Sequence, residues 1–200
     1  MQELRMRLIE ETKAKLEESF DRERLIIHSS RLIEELGRTE QSLQLRIRTF
    51  MQNINPGAKD ISHIKMDGLK MRDEDMRMLN ENLALQEEIS RLREQNMEYL
   101  EKIMSEIVPN LTEVAGAVLG AKLIDLANGI ESLASMATSK VQVLGAERAM
   151  FKHLKTGSRS PKYGIIFTHP SVCESHDKGK AARKLASDIS KAVRVDFYRK

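Results

Sequence analysis

Five basic side chains that could bind phosphate groups lie close together within residues 145–170. They are Arg148, Lys152, Lys155, Arg159 and Lys162. Glu147 is the one acidic residue of this stretch, and the middle of the stretch reads Thr-Gly-Ser-Arg-Ser-Pro, which favours a loop over a helix or strand. Clustered cations beside a loop are typical of surfaces that attract phosphate. The pattern therefore predicts a phosphate-binding surface.

The charge of the chain is unevenly distributed along its 200 residues. Its net charge is only +3, yet residues 140–200 carry fourteen basic and five acidic side chains. The residues before position 140 therefore carry a net negative charge, and nucleic acid is expected to bind the C-terminal part alone.

Bulk composition favours a soluble, helix-rich protein, because 32% of the residues are charged, 4% are aromatic and none is tryptophan. Cys173 is the only cysteine, so an internal disulfide is impossible. No apolar run approaches the roughly 18–20 residues of a membrane span, and the charged start does not resemble a signal peptide. We therefore expect a cytoplasmic protein that does not associate with membranes.

The first half of the sequence predicts an antiparallel coiled-coil hairpin over residues 1–106. Residues 1–54 favour one long helix or two helices in series, and residues 53–57 (Asn-Ile-Asn-Pro-Gly) predict a turn, followed by a connector over about 59–75. The second helix has a heptad pattern with Met78, Leu85, Leu92 and Tyr99 at one seam position and Asn82, Ile89, Asn96 and Ile103 at the other. Either the two asparagines fix the register of the coiled coil, or the true seam is shifted and they are solvated.

The second half predicts a helical domain over residues 107–200. Pro109 separates it from the hairpin, and residues 111–133 favour one helix rich in small residues. Thr138 and Ser139 are expected to cap a helix that continues to about Leu154. A short extended segment over 162–168 and a final helix over about 178–197 complete an all-α architecture.

Several ordered motifs of this half resemble the Nop domain, which occurs in the core proteins of box C/D guide-RNA particles and in a spliceosomal relative. The matching motifs are VPNLT (108–112), GAKLI (120–124), GAERAMF (145–151), KGKAAR (178–183) and AVRVD (192–196). The resemblance implies a non-catalytic scaffold that binds a kink-turn RNA together with a small, ribosomal-protein-like kink-turn binder. It also implies that the coiled coil forms a homodimer or heterodimer.

The resemblance places the RNA contacts on five residues by motif position. They are Ser139, Lys140, Lys162, Arg183 and Arg194. The backbone N–H groups at Ser139 and Lys140 would face the RNA at a helix N-terminus. Arg183 and Arg194 are eleven residues apart and fall on one face of the last helix, where the alternative is a solvated or ion-paired surface. Lys178, Lys180 and Lys184 are expected to add only a nonspecific positive field.

The helix around residues 147–155 would face the small protein partner and the adjoining RNA. The residues assigned to this interface are Glu147, Arg148, Lys152, His153, Lys155 and Arg159. The alternative is a plain amphipathic helix with Val143, Ala146, Met150 and Leu154 directed inward, and the two interpretations are compatible.

Catalysis, a cofactor and a metal site are not expected. His169, Cys173 and His176 have a spacing that suggests zinc, but His153 is the only available fourth ligand and lies far away in sequence. The chain has neither a phosphate-binding G-x4-G-K-[ST] loop nor a G-x-S-x-G nucleophile motif. The rival functions are a coiled-coil adaptor whose basic domain recognises no specific RNA, and a nonspecific nucleic-acid binder.

The sequence departs from the family pattern in three places. Nothing corresponds to the fibrillarin-binding domain that precedes the coiled coil in full-length members, so we expect either a fragment or a naturally short member. The family's Pro-Ala-Ser-Thr is replaced by Ala-Thr-Ser-Lys at 137–140, and residues 172–177 lack the basic, aromatic character of the family.

Overall fold

The computed structural model of the protein describes residues 5, 6, 9, 10, 22–54 and 72–199. Within these residues every regular element is helical, which confirms the all-α prediction. The helices are α1 (Arg22–Ile54), α2 (Asp73–Ile107), α3 (Pro109–Ala115), α4 (Ala117–Ala127), α5 (Ile130–Ser135), α6 (Thr138–Val143), α7 (Glu147–Thr156), α8 (Pro170–Cys173) and α9 (Lys178–Tyr198), with a 3₁₀ turn at Ile165–Thr168. Three predicted parts lie largely outside the described residues: the first 21 residues of the helical segment predicted over 1–54, the end of the turn at 53–57, and most of the connector.

The chain divides into two compact units. The hairpin unit comprises residues 31–99, and the larger unit comprises residues 1–30 and 100–200. The predicted domain boundary between residues 106 and 107 stays a prediction. None of the described helices combines the length and the hydropathy that crossing a membrane requires.

In the hairpin unit, α1 and α2 run antiparallel. Ile47 and Met51 pack against Leu79, whereas Glu40, earlier in α1, contacts Ser90 and Arg93, which come later in α2. This reversed order of contacts confirms the predicted antiparallel hairpin, in which apolar side chains on one stripe of each helix meet.

The predicted seam of the coiled coil is wrong at one of its two positions. Met78, Leu85, Leu92 and Tyr99 are 42–52% exposed, whereas Leu79, one residue further on, is 2% exposed. The amides of Asn82 and Asn96 donate to the carbonyls of Met78 and Leu92 in their own helix, so they do not pair across the hairpin. The seam is therefore shifted at the first position, as the alternative allowed, because α2 carries apolar residues on adjacent stripes and only packing against α1 selects one. Asn82 and Asn96 are half-buried rather than fully solvated.

A polar cluster between the two helices takes the place expected for the asparagines. Glu40 accepts hydrogen bonds from the Ser90 hydroxyl at 2.9 Å and from Arg93 Nη1 at 3.3 Å. Arg93 lies close to Gly37, where a Cβ would be in ordinary contact with Arg93 Nε at 3.4 Å. Other registers would separate these charged partners, so the cluster favours the observed register.

In the larger unit, the single helix predicted over 111–133 is instead three short helices. Gly116 (φ 75°) separates α3 from α4, and Asn128 (φ 57°) with Gly129 (φ 129°) separates α4 from α5. These left-handed conformations end helices and are accessible to glycine and asparagine. Glu23 of α1 accepts a hydrogen bond from the N–H of Ile130 at 2.8 Å and so caps α5.

The final helix, α9, matches its prediction and packs against α3, α5, α6 and α8. Ala182, Ile189 and Val193 bury its inner face. Near its end, Asp196 is 7% exposed, and its carboxylate accepts hydrogen bonds from the N–H groups of Asn110 and Leu111 and from the Asn110 amide. An acidic side chain of α9 therefore caps the N-terminus of α3.

We predict that Asp196→Asn lowers the free energy of unfolding by about 2 kcal/mol, because an amide nitrogen replaces one charged acceptor of a buried N–H group. Asp188→Asn on the same helix is the matched control. Asp188 makes only a 3.7 Å surface ion pair with Lys191, so its replacement should cost less than about 0.5 kcal/mol. Urea unfolding followed by circular dichroism measures both, and equal losses would contradict the capping role.

Candidate nucleic-acid interface

Three chain segments of the larger unit surround an open concavity of about 880 Å³. α6 contributes Ser139 and Lys140, the loop after α7 contributes Lys162, and α9 contributes Lys180 and Arg183. The side chains of these five residues are exposed, and Asp177 is the one acidic residue among those that line the surface. We call this surface the basic concavity.

The cations of the basic concavity remain available to a ligand. Within the described parts of the chain, Lys140, Lys162, Lys180 and Arg183 form no ion pair. Asp177 is engaged locally, because its carboxylate accepts a hydrogen bond from the Lys180 N–H at 3.0 Å and caps α9. The concavity can therefore bind an anion of several charges without first breaking an internal ion pair.

Backbone contacts hold the loop that carries Lys162. The Gln142 amide donates to the carbonyl of Lys162 at 2.6 Å, and the N–H of Gly164 donates to the carbonyl of Gln142 at 2.8 Å. The N–H of Ile165 donates to the carbonyl of Leu144 at 2.8 Å. The loop is thus fastened to the end of α6.

The extended segment predicted over 162–168 is wrong, because residues 165–168 form a 3₁₀ turn instead.

The helix predicted to continue to Leu154 is also interrupted. α6 ends at Val143, Gly145 adopts φ 83°, and α7 begins at Glu147, whose carboxylate accepts a hydrogen bond from the N–H of Gly145 at 2.8 Å. The carbonyls of Gln142 and Leu144 instead pair with the loop at Gly164 and Ile165. These hydrogen bonds join residues about 20 positions apart in the sequence, so the spacing of apolar residues along one helix cannot predict them.

Thr138 and Ser139 do not cap α6 as predicted. The N-cap is Ala137, whose side chain makes no capping hydrogen bond. The N–H of Lys140 already donates to the carbonyl of Ala137 at 2.8 Å. The turn therefore presents the Lys140 side chain rather than its N–H group.

The two arginines of α9 have different surroundings. Arg183 lines the basic concavity, whereas Arg194 does not. Arg194 Nε donates to the carbonyl of Ala134 at 3.0 Å, and its Nη2 donates to the carbonyl of Met136 at 3.2 Å. The structure therefore brings together four of the five residues assigned to RNA, and contact between Arg194 and RNA stays a prediction.

A second surface lies on α7, whose residues are all exposed or half-buried. Phe151 and Leu154 are 66% and 76% exposed, so the inward orientation considered for Leu154 is wrong. Arg148, Lys152 and Lys155 are exposed beside them. We call these five residues the α7 surface. The apolar pair was missed because periodicity shows that a helix has two faces but not which face is buried.

Three further residues were assigned to the partner interface. His153 and Glu147 contact nearby backbone groups, and Arg159 lies in the loop after α7. His153 Nδ1 contacts the carbonyl of Ser158 and thereby fastens the start of the loop after α7. Arg159 is exposed in this loop. As noted above, the Glu147 carboxylate binds Gly145, so Glu147 helps to shape the turn before α7.

The residues considered for zinc form no metal site in the structure. No group of three or more potential metal ligands occurs among the described residues. His169 Nδ1 accepts a hydrogen bond from the N–H of Ser171 and caps α8. The thiol of Cys173 lies 3.7 Å from the carbonyl of Pro170.

The all-α fold agrees with the family comparison. Residues 15–200 match the Nop family, described as "snoRNA binding domain, fibrillarin". The match covers more than half of the sequence, and the chain therefore belongs to the Nop snoRNA-binding domain family.

Individual relatives support this assignment. A NOP5 family protein of Methanocaldococcus jannaschii is 39% identical over 171 residues, which cover 83% of this chain and 41% of the relative. Nucleolar protein 58 of Neurospora crassa is 39% identical over 146 residues, which cover 72% of this chain and 24% of the relative. The chain thus spans less than half the length of either relative.

A solved structure shows the same fold. A chain in the crystal structure of a fibrillarin/Nop5p complex superposes with a TM-score of 0.63 at 25% sequence identity. The superposition covers 99% of this chain and 70% of that chain.

The predicted cytoplasmic location is contradicted by these comparisons. Relatives from Neurospora crassa, Dictyostelium discoideum and Saccharomyces cerevisiae are named as nucleolar proteins. Charge and hydropathy carry no signal that separates a cytoplasmic from a nucleolar protein, which is why sequence reasoning failed here.

We predict that Gly164→Ala lowers the free energy of unfolding by about 1–3 kcal/mol, because a Cβ at this position would overlap the carbonyl oxygen of Leu144. Gly179→Ala, at a residue that lines the basic concavity, is the control. Its Cβ would make ordinary contacts at 3.6 Å and beyond, so stability should change by less than about 1 kcal/mol. Thermal unfolding measures both variants, and a stable Gly164→Ala protein would show that the loop is not held by this close approach.

Proposed function

We propose that the protein is a non-catalytic ribonucleoprotein scaffold that binds a kink-turn RNA together with a small kink-turn-binding protein. The observation that carries this proposal is the basic concavity, in which three separate segments bring together four cations that form no ion pair with any described residue. Membership of a snoRNA-binding family identifies RNA as the appropriate polyanion.

The aromatic residues near the concavity favour recognition of RNA shape and backbone. Tyr163 and Phe167 stack on each other with ring centroids 4.9 Å apart, and the Lys178 ammonium lies 5.2 Å from the Phe167 centroid. The Phe167 ring is therefore already in contact with two side chains of the protein itself. Proteins that bind single strands offer free aromatic faces for base stacking, whereas cations that contact phosphates read the path of the backbone.

The α7 surface is proposed to contact the small protein partner and the adjacent RNA. Exposed Phe151 and Leu154 offer apolar area of the kind that anchors protein interfaces, and Arg148, Lys152 and Lys155 surround it with positive charge. Met150 of the same helix lines the basic concavity, so α7 connects the two surfaces. A partner bound to both α7 and the RNA would explain a requirement for the preformed RNA–protein complex.

The hairpin is proposed to mediate self-association or pairing with a related subunit. Met78, Leu85, Leu92 and Tyr99 repeat every seven residues and are exposed along one stripe of α2. A repeat of this length keeps the residues on one face of a supercoiled helix. Because α1 covers the neighbouring stripe, this one is free to receive a helix from a second molecule.

We predict binding to a kink-turn RNA already carrying its small protein, and little binding to a straight duplex or to either component alone. Four phosphate contacts would make the logarithm of affinity fall with the logarithm of salt concentration with a slope on the order of 4. Gel-shift titrations measure both. Arg183→Gln should reduce this slope by about one, whereas Lys191→Gln on the same helix, outside the concavity, should leave it unchanged.

Equal binding to every RNA would favour a nonspecific nucleic-acid binder. Absence of RNA binding, with the hairpin still associating, would instead favour the protein adaptor.

We also predict that Leu85→Gln combined with Leu92→Gln shifts the protein from dimer to monomer in sedimentation equilibrium, while its helix content stays unchanged. Both residues are exposed in the hairpin unit, so the polar replacements remove apolar contact between molecules without opening the core. Leu45→Gln is the control, because Leu45 is 65% exposed on α1 and lies off the stripe. A dimer that survives the double replacement would show that association uses another surface.

A further inference from the structure

We propose that Arg194 is a positioning residue: it sets the turn that presents Lys140 to the RNA and makes no phosphate contact of its own. The proposal rests on the proposed RNA-binding function and deepens it. It divides the two arginines of α9 into one that contacts RNA and one that shapes the protein.

The first observation is the set of atoms that Arg194 binds. Two N–H groups of one guanidinium donate to the carbonyls of Ala134, in α5, and of Met136, the residue that ends α5. The last carbonyls of a helix lack partners within the helix, and the planar guanidinium can satisfy two acceptors at once. Lysine cannot reproduce this pair of bonds, because its ammonium is a single point of charge.

The second observation is how short the connection from these carbonyls to Lys140 is. Met136 and Ala137 are extended, with φ, ψ of −66°, 143° and −64°, 141°, and they alone join α5 to α6. The carbonyl of Ala137 then accepts hydrogen bonds from the N–H groups of Lys140 and Val141. A displacement at Met136 therefore passes within one residue to the turn that carries Lys140.

The third observation is that α6 lacks a side-chain cap of its own within the described residues. Val141 is fully buried and holds the middle of α6 against the core, and its N–H donates to the carbonyl of Ala137 at 3.1 Å. Arg194 supplies, from α9, side-chain hydrogen bonds to the carbonyls of Ala134 and Met136, just before this turn. Arg183 lies three helical turns earlier, about 16 Å along the α9 axis, and lines the basic concavity.

The experiment compares Arg194→Gln, Arg194→Lys and Arg183→Gln in the full chain. Affinity for a kink-turn RNA carrying its small protein is measured at several salt concentrations. Backbone amide signals of residues 136–140 are recorded by NMR in the RNA-free protein. The salt slope counts phosphate contacts, whereas the amide signals report the turn before RNA is added.

Positioning predicts that Arg194→Gln and Arg194→Lys each lower affinity about tenfold, retain the salt slope and shift the amide signals of residues 136–140. Arg183→Gln should lower affinity, reduce the salt slope by about one and leave those amide signals unchanged. Failure of Arg194→Lys to restore binding is the sharpest expected result, because lysine keeps the positive charge and loses only the paired bonds.

The proposal is overturned if Arg194→Gln reduces the salt slope by about one and Arg194→Lys binds like the wild type, since Arg194 would then contact a phosphate. It is also overturned if both variants leave the amide signals of residues 136–140 in place, or if neither variant folds, since Arg194 would then stabilise the whole unit. Should the wild type itself bind no RNA, the proposed function fails, and the amide signals alone still decide whether Arg194 sets the turn.

Discussion

The larger unit depends on hydrogen bonds between charged side chains of α9 and the ends of other helices. Asp196 accepts from N–H groups at the start of α3, and Arg194 donates to carbonyls at the end of α5. Each helix leaves about four N–H and four carbonyl groups unpaired at its ends, so helices of six or seven residues have few internal hydrogen bonds to offset this cost. A unit built from such helices needs partners supplied by distant parts of the chain. The acid binds a helix start and the base binds a helix end, as the helix dipole favours.

The same constraint explains how the basic concavity is assembled. Short helices and glycine turns break the chain into segments that change direction often, and this brings Lys140, Lys162 and Arg183 from three elements to one surface. The loop bearing Lys162 pairs with carbonyls at the end of α6, and Glu23 caps α5 from outside the C-terminal half of the chain. The hydrogen bonds that satisfy the ends of the short helices therefore also position the cations of the basic concavity.

The hairpin unit shows a different use of a helix surface. α2 carries two neighbouring apolar stripes, one buried against α1 and one exposed at Met78, Leu85, Leu92 and Tyr99. Arg93 of the buried stripe forms an ion pair with Glu40 of α1. This pair favours a single register of the two helices, although removing its charges from water costs free energy. The stripe buried against α1 thus sets the register within the molecule, whereas the exposed stripe is the one proposed for association between molecules.

The sequence by itself determined the all-α class, the antiparallel hairpin, the last helix and the basic character of the C-terminal part, because heptad spacing, Pro109 and local charge are properties of neighbouring residues. The family resemblance assigned Ser139, Lys140, Lys162, Arg183 and Arg194 to RNA, and the structure brings the first four to one surface. Only the tertiary structure decided which stripe of α2 is buried, where the helix predicted over 111–133 divides, and that Phe151 and Leu154 face outward. It likewise decided that Arg194 binds the carbonyls of Ala134 and Met136. Each of these features depends on which distant residue hydrogen-bonds to a helix end or covers a helix face. The periodicity of the helix does not change with the identity of that residue, so it cannot predict these features.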